Sequence, residues 1–320
     1  MELPIYILLA SYNGERYINE QLESLINQTY KNWRLLIRDD GSTDATIFII
    51  KKYIGIDQRI KLVDEEGLNK GKGACQNFSA LMKIALQNEL SFIMFCDQDD
   101  YWFPNKIELM LNEIVKTNSQ LVYSDFLYAD SELKQLPAEI QKSKSPFMFP
   151  LFRNLIVQNQ VYGCTMIINN DLARSCIPIP DIAENHDYWI SLVASGIGAK
   201  ICHLKEALML YRQHANNVTG SFKDHYLLPR IKRFLFSFDV LAEIESRKIL
   251  MLMTLYQSLA NELTIENKKL LEGYLKALKK NKINIILYCI KNKIKRQSFI
   301  STIVYFIVLC NLNKQKIINK

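Results

Sequence analysis

The pentapeptide Phe92-Ile93-Met94-Phe95-Cys96, followed at once by Asp97-Gln98-Asp99-Asp100, constrains the fold more than any other part of the chain. Five apolar residues in succession have the length and continuity of a strand buried on both faces, as in a parallel sheet covered by helices. In open α/β sheets, ligands gather just beyond the carboxyl ends of such strands. Residues two apart on an extended chain point the same way, so Asp97 and Asp99 can converge on one cation. Hard oxygen donors suit Mg²⁺ or Mn²⁺ shared with substrate phosphates. The plain alternative is a solvated acidic loop capping the helix that starts near Pro104, and a D-x-D pattern alone does not choose between them.

The same alternation runs along the first 125 residues. Strands are expected at Ile5–Ala10, Trp33–Arg38, Ile60–Val63, Phe92–Cys96 and Leu121–Tyr123, separated by segments with helical apolar spacing such as Ile18, Leu22, Leu25 and Ile26. Ser42, Thr43 and Asp44 are candidate helix caps, and Pro104 suits a first helical turn. Alternating strands and helices predict a mostly parallel, doubly wound, Rossmann-like α/β sheet. Residues 126–150 read as irregular. A strand is expected at Val161–Ile168, a helix over 187–196, a strand at Ala207–Tyr211, and helices almost throughout beyond His225.

Composition bounds the rest. At 320 residues, 49% hydrophobic and 23% charged, the chain can bury a full core. Its seven cysteines are scattered without a C-x-x-C pair, as expected of reduced thiols in the cytoplasm. The first residues lack the basic and apolar regions of a signal peptide. From Lys268 onward there are 13 Lys or Arg residues and one acid, Glu272, a balance of +12; the preceding residues carry −5, and the whole chain +7. Such a tail points to an anionic surface. It lacks the interleaved aromatics of a nucleic-acid platform. Its apolar stretches, Ile283–Ile290 and Phe299–Cys310, fall short of the ~18 residues of a spanning helix. They read as interfacial helices on the inner face of a membrane, or else as a packed helical subdomain with solvated lysines.

Four segments carry the chemistry: Ala10-Ser11-Tyr12-Asn13-Gly14, Arg38-Asp39-Asp40-Gly41-Ser42-Thr43-Asp44, the 97–100 acids, and Glu184-Asn185-His186-Asp187-Tyr188-Trp189. Three fall at strand ends and so belong on one edge of the sheet. Together they resemble the inverting family-2 glycosyltransferases of GT-A fold, over about residues 4–220. Cys96-Asp97-Gln98-Asp99-Asp100-Tyr101-Trp102, His186-Asp187-Tyr188-Trp189-Ile190 and Leu210-Tyr211-Arg212-Gln213-His214-Ala215-Asn216-Asn217-Val218 are similar to the branch that includes bacterial rhamnosyltransferases.

That resemblance implies roles for single residues. Ser11, Tyr12, Asp40, Asn77, Asp97 and Arg212 would bind a nucleotide-sugar donor, with Tyr12 stacked on the base and Asp40 accepting from a pyrimidine N3–H. Asp99, with Asp97 and His214, would hold Mg²⁺ or Mn²⁺, and Lys70 and Lys72 would reach phosphate. Asp187 would be the general base, with Glu184 as its alternative. Each has a structural reading beside it: a turn residue for Tyr12, helix caps for Asp39, Asp40 and Asp187, a packed side chain for Arg212. One departure is His186 before Asp187, where related enzymes carry a Glu-Asp pair. There is no Q-x-x-R-W and no spanning helix, against a processive synthase.

The implied organisation is a catalytic domain over 1–222 (a nucleotide-binding half to 125, an acceptor-side half from 126) and a basic helical extension over 223–320. The implied donor is dTDP-rhamnose, or else a UDP-sugar, and the acceptor a growing surface polysaccharide or lipid-linked glycan. A sugar-phosphate nucleotidyltransferase would need a glycine-rich basic loop after strand one, which Ser11-Tyr12-Asn13-Gly14 is not. A non-catalytic glycan-binding relative would have no use for Asp97, Asp99 and Asp187 together.

Overall fold

The computed structural model describes residues 4–63, 71–87, 91–141, 150–214 and 238–312. The elements follow in the order β1 (Ile5–Ser11), α1 (Ile18–Ile26), β2 (Trp33–Asp39), α2 (Thr46–Ile56), β3 (Ile60–Leu62), α3 (Gly73–Ala85) and β4 (Phe92–Cys96). After these come β5 (Tyr101–Trp102), α4 (Lys106–Thr117), β6 (Leu121–Ala129), the single-turn helices α5 (Ala138–Gln141) and α6 (Phe152–Leu155), and β7 (Met166–Asn169). Then follow α7 (Asn170–Cys176), α8 (His186–Gly196), β8 (Ile201–Arg212), α9 (Phe238–Leu259), α10 (Ile265–Lys280), α11 (Lys282–Lys291) and α12 (Phe299–Asn311).

One eight-stranded sheet runs β3-β2-β1-β4-β7-β6-β8-β5. Its first half is parallel, as the uninterrupted apolar strands require; every β1 residue from Ile5 to Leu9 is buried. β7 then enters antiparallel between β4 and β6, while β6 and β8 pair in parallel through a bulged ladder. The sheet is therefore mixed at its β7-β6-β8-β5 end. β1, β2 and β4 all end on the same edge, which collects Ser11, Asp39 and Asp97.

Three expectations need correction. β6 continues to Ala129, because Ser124/Asp125 and Asp125/Leu127 carry register shifts that blur the strand's alternation. The expected strand at 161–168 opens with a 3-10 turn, Gly163–Thr165, before β7. The two-residue β5, which pairs Tyr101 and Trp102 with Leu210 and Met209, is too short to leave a sequence signal. The expected boundary at 222/223 and Lys70 lie outside the described residues.

The last four helices pack into the body. Ile249, Leu252 and Leu255 of α9 join Leu271 and Tyr274 of α10 and Tyr305 and Leu309 of α12 in one core with Leu155, Tyr188 and Ala194. A charge network reinforces the joint. Buried Glu245 accepts from Arg296 and, at 3.3 Å, from Lys248, whose ammonium also lies 3.7 Å from Glu184. Arg296 lies over the Tyr305 ring at 4.9 Å. Removing one partner of a buried ion network leaves the others desolvated and uncompensated. Glu245→Ala should accordingly lower the unfolding free energy by about 3 kcal/mol, read as a lower urea midpoint at unchanged slope.

Candidate active site

The turn after β1 is built to hold one ring at the edge of the sheet. Asn13 adopts a left-handed φ of 45°, which Asn tolerates, and its Oδ1 accepts from Thr43 N at 2.9 Å. Gln98 clamps Tyr12 from across the sheet: Tyr12 N donates to Gln98 Oε1 and Gln98 Nε2 donates to Tyr12 O, both at 2.9 Å. Gly14 is required there, because a Cβ would fall 2.3 Å from Gln98 Oε1. The Tyr12 ring is left 56% exposed on the wall of a cleft.

The paired aspartates after β2 divide their work. Asp39 turns into its own loop, accepting from Gly41 N, Ser42 N and the hydroxyls of Ser11 and Ser42 at 2.6–2.9 Å. Ser11 is thereby a buried strut for Asp39 as well as a cleft residue. Asp40 faces the cleft and accepts from Lys72 N and Gly73 N, each at 3.0 Å, fixing the start of α3. Asn77, one turn into α3, lines the cleft and is buried with neither amide atom hydrogen-bonded.

Beyond β4 the acids fan out. Asp97 and Asp99 line the cleft, whereas Asp100 is buried behind it, accepting from Arg212 N at 3.1 Å. Burial, then the charges of Asp99 and Asp187, push Asp97 up to about 7. Burial likewise raises Asp100 well above the usual carboxylate range. Lys106 is the internal counter-charge. It is fully buried, donates to Cys164 O at 2.6 Å, lies over the Trp102 ring at 3.9 Å, and is brought down to about 8 by burial. His214 Nε2 sits 2.8 Å from Asp99 Oδ2, with its ring against Tyr17.

Arg212 departs from the expected phosphate fork. Its guanidinium is buried and turned into the fold, donating to Asp99 O at 2.6 Å, to Glu20 Oε2 at 2.5 Å and to Ser131 O, over the Tyr17 ring. It is not a cleft residue. The side chain braces the backbone that carries Asp99, because β8 passes directly beneath the acidic turn.

Opposite these acids stands the N-terminus of α8. The helix begins at His186 with Asn185 as its cap, so Asp187 lies in the first turn rather than at the cap. Asp187 Oδ2 accepts from Gly163 N at 3.0 Å and Oδ1 from Tyr188 N at 2.6 Å. Burial outweighs these donors and lifts its carboxyl to about 6, with Glu184 adding to the rise. Glu184 itself points toward Lys248 and is absent from the cleft wall, as are Tyr188 and Trp189, whose rings are core. His186 is wedged between Phe78 and Phe95 with Nε2 unpaired; burial holds it neutral, down at about 3.

One cleft of about 690 Å³ joins these parts. It brings together Ser11, Tyr12, Asp40, Asn77, Asp97, Asp99, Asp187 and His214, and omits Arg212. Sequence reasoning missed Gln98, Lys106 and Gly163. Gln98 lies inside the acidic motif, where only the sheet geometry reveals its clamp on Tyr12. Lys106 reads as an ordinary surface lysine at a helix start. Gly163 has to be a glycine, because a Cβ would lie 2.4 Å from His186 Nε2.

The donor set fits a hard divalent cation. Asp97, Asp99 and an imidazole line one wall, and burial with the neighbouring charges of Asp99 and Asp187 raises Asp97. Among the described residues the trio whose donor atoms all lie within 4.8 Å of one another is Asp97, Asp100 and Cys164, so Asp97, Asp99 and His214 share the wall without closing into a cage. That trio is a poor cage, since burial keeps the Cys164 thiol protonated.

Comparison with known proteins gives this geometry a family. The sequence profile of Glycosyl transferase family 2 matches residues 6–173. The dTDP-rhamnosyl transferase RfbG of Shigella flexneri is 31% identical over 230 residues, covering 68% of this chain and 76% of that protein. The UDP-Glc:alpha-D-GlcNAc-diphosphoundecaprenol beta-1,3-glucosyltransferase WfgD of Escherichia coli is 30% identical over 190 residues, 59% of this chain and 69% of its own. In fold, residues 1–349 of S. aureus TarS, crystallised with UDP-GlcNAc, superimpose with a TM-score of 0.58 at 19% identity, covering 86% of this chain and 72% of that one.

A brace and a ligand-binding fork behave differently in the absence of ligand. Arg212→Lys keeps the charge but loses the planar set of donors. It should cost about 2 kcal/mol of stability with no donor or metal present, whereas a side chain reserved for phosphate would leave the urea midpoint unmoved.

Proposed function

The chain belongs to Glycosyl transferase family 2 and is a glycosyltransferase, and from that premise we propose an inverting, divalent-metal-dependent transfer of L-rhamnose from dTDP-rhamnose to a cell-surface polysaccharide or lipid-linked glycan. The observation that carries the proposal is the single cleft in which Asp97, Asp99 and His214 face Asp187.

In this reading Tyr12 stacks on the pyrimidine and Asp40, already fixed by two amides, accepts its N3–H. Asn77 satisfies its buried amide on the nucleoside. Asp97, Asp99 and His214 would hold Mg²⁺ or Mn²⁺, which would supply positive charge to the departing diphosphate. Asp187 takes the proton from the acceptor hydroxyl as that oxygen attacks the anomeric carbon from the side opposite the diphosphate. Inversion follows from a single displacement. The Gly163 and Tyr188 amides aim the carboxylate, and burial sets its basicity near the working range of a general base. Glu184, engaged with Lys248, is left as a charge neighbour of the base.

Relatives that act from dTDP-rhamnosyl and UDP-glucosyl donors align at similar identity. The wall between the acids and Asp187 includes Tyr162, Cys164 and Tyr211. The tyrosine ring faces give a 6-deoxyhexose methyl group apolar contact, and their hydroxyls are able to pair with a primary hydroxyl, so rhamnose rests on the rhamnosyl relative rather than on this wall. A UDP-hexose donor is the second reading. Thermal-shift titration with dTDP-rhamnose, UDP-glucose and UDP-galactose in Mn²⁺ decides between them; stabilisation by the UDP-sugars alone would reject rhamnose. Among the described residues no helix is long and apolar enough to cross a membrane. With the acceptor lipid-linked, the chain would work as a peripheral protein on the inner face.

Asp187→Asn should leave donor affinity within about twofold while transfer falls by ~10²–10⁴. The wild-type pH profile checks the same assignment. A base must be deprotonated to act, and its carboxyl lies at about 6. kcat/KM should therefore rise about tenfold per pH unit below that value and level off above it, and the Asn variant should lose this limb. Asp99→Ala should weaken donor binding and abolish its Mn²⁺ dependence in calorimetric titration; equal affinity with and without the carboxylate would rule out its ligand role.

A further inference from the structure

The exposed apolar surface is unevenly distributed. Of the large hydrophobic side chains left exposed across the described residues, half belong to α11 and α12. On α11, Ile283, Leu287 and Ile290 recur at i, i+4 and i+7 and form one stripe, while Ile285 and Cys289 on the other side are buried. On α12, Phe299, Ile300, Ile303 and Ile307 lie within about a quarter-turn arc of one face at 100° per residue, and Tyr305, Val308 and Leu309 enter the core. Lys291, Lys293 and Lys295 are exposed on the link between the stripes. No Asp or Glu follows Glu272 in the sequence.

Both helices are held in place before any partner arrives. Asn281 caps α11, and Ser298 with Ser301 forms a capping box on α12. Ile294 is buried between them, and Gln297 N donates to Gln158 Oε1 at 3.0 Å. Among the described residues nothing covers these two apolar stripes or the cationic link between them. At a rise of 1.5 Å per residue the helices are about 15 and 20 Å long, against a hydrocarbon core of about 30 Å. They can lie in a bilayer surface but not span it.

We propose that these two faces dock the protein onto an anionic lipid bilayer, with Ile283, Leu287, Ile290, Phe299, Ile303 and Ile307 entering the headgroup–acyl boundary and Lys291, Lys293 and Lys295 meeting acidic headgroups. Charge selects the occupant. A second copy of this chain would bring lysines against lysines, whereas an acidic leaflet offers both the apolar depth and the opposite charge. This inference deepens the reading of the chain as a peripheral transferase and supplies its lipid partner.

The test uses the full chain with phosphatidylcholine vesicles and with vesicles containing 30% phosphatidylglycerol. Co-sedimentation is expected with the acidic vesicles and is expected to be lost in 0.5 M NaCl. Leu287→Gln/Ile303→Gln/Ile307→Gln and Lys291→Gln/Lys293→Gln/Lys295→Gln change exposed side chains only, so both should fold. Each should lower vesicle partitioning at least tenfold while Mn²⁺-dependent hydrolysis of the donor in solution is unchanged. Equal partitioning of the wild type and both variants would overturn the proposal, as would a wild-type dimer that the apolar variant dissolves without any vesicle binding. Turnover without vesicle binding would end the docking inference alone, and vesicle binding without turnover would end the transferase reading alone.

Discussion

Three carboxylates at the end of one buried strand are a liability that the rest of this fold answers. Asp97, Asp99 and Asp100 follow a β4 whose last residue, Cys96, is fully buried, so their charges cannot all be dispersed into water. Two cations are brought from elsewhere to hold the turn together. Lys106 approaches from the first turn of α4, and Arg212 from the end of β8, where it also ties down Glu20 and Ser131. Neither reaches the open side of Asp97 and Asp99. Among the described residues Lys106 and Arg212 thus compensate the turn from behind, and Asp97 and Asp99 keep their cleft side open to a cation.

Across the cleft the same problem is solved in the opposite sense. Among the described residues no cation pairs with Asp187; its oxygens are met by the backbone amides of Tyr188, in the first turn of α8, and of Gly163, in the 3-10 turn before β7, which orient without neutralising. Gly163 makes this possible by its missing Cβ, which lets both the amide and the His186 ring close in. Burial outweighs the two amides and lifts the Asp187 carboxyl, whereas an Arg partner would pull it down. The two walls of the cleft therefore differ in which partners each acid was given.

This contrast also separates what the sequence disclosed from what it hid. The parallel half of the sheet was legible because buried strands need uninterrupted apolar runs, and β1, β2 and β4 have them. The strand-end acids stood out because carboxylates after such strands are few and chemically costly, whereas Asp187, in the first turn of α8, stood out only through the family resemblance. β5 and the bulged end of β6 were not, since pairing there depends on β8, about a hundred residues away. Arg212 was misjudged for a related reason. Its residue type fits a phosphate fork, but its employment is fixed by Asp99 O and Glu20, contacts that no local pattern announces. Gln98 drew no role from the sequence, and only the adjacency of β1 and β4 turns it toward Tyr12.

The C-terminal helices extend the same logic beyond the cleft. α9 shares its core with α6 and α8, and Lys248 reaches Glu184, three residues before the base. An extension joined by a flexible linker would let the cleft take any height and tilt above whatever the extension binds. Here the apolar stripes of α11 and α12 and the base on α8 belong to one packed body, so docking at the stripes would fix the distance and angle of Asp187 from the bilayer. For an acceptor anchored in lipid that geometry is itself selective: a glycan is reached only if its growing end stands at the height of the cleft. Under the proposed docking the basic extension would act as a ruler as well as an anchor, because the core that seals it to the rest of the fold would hold the cleft at one height.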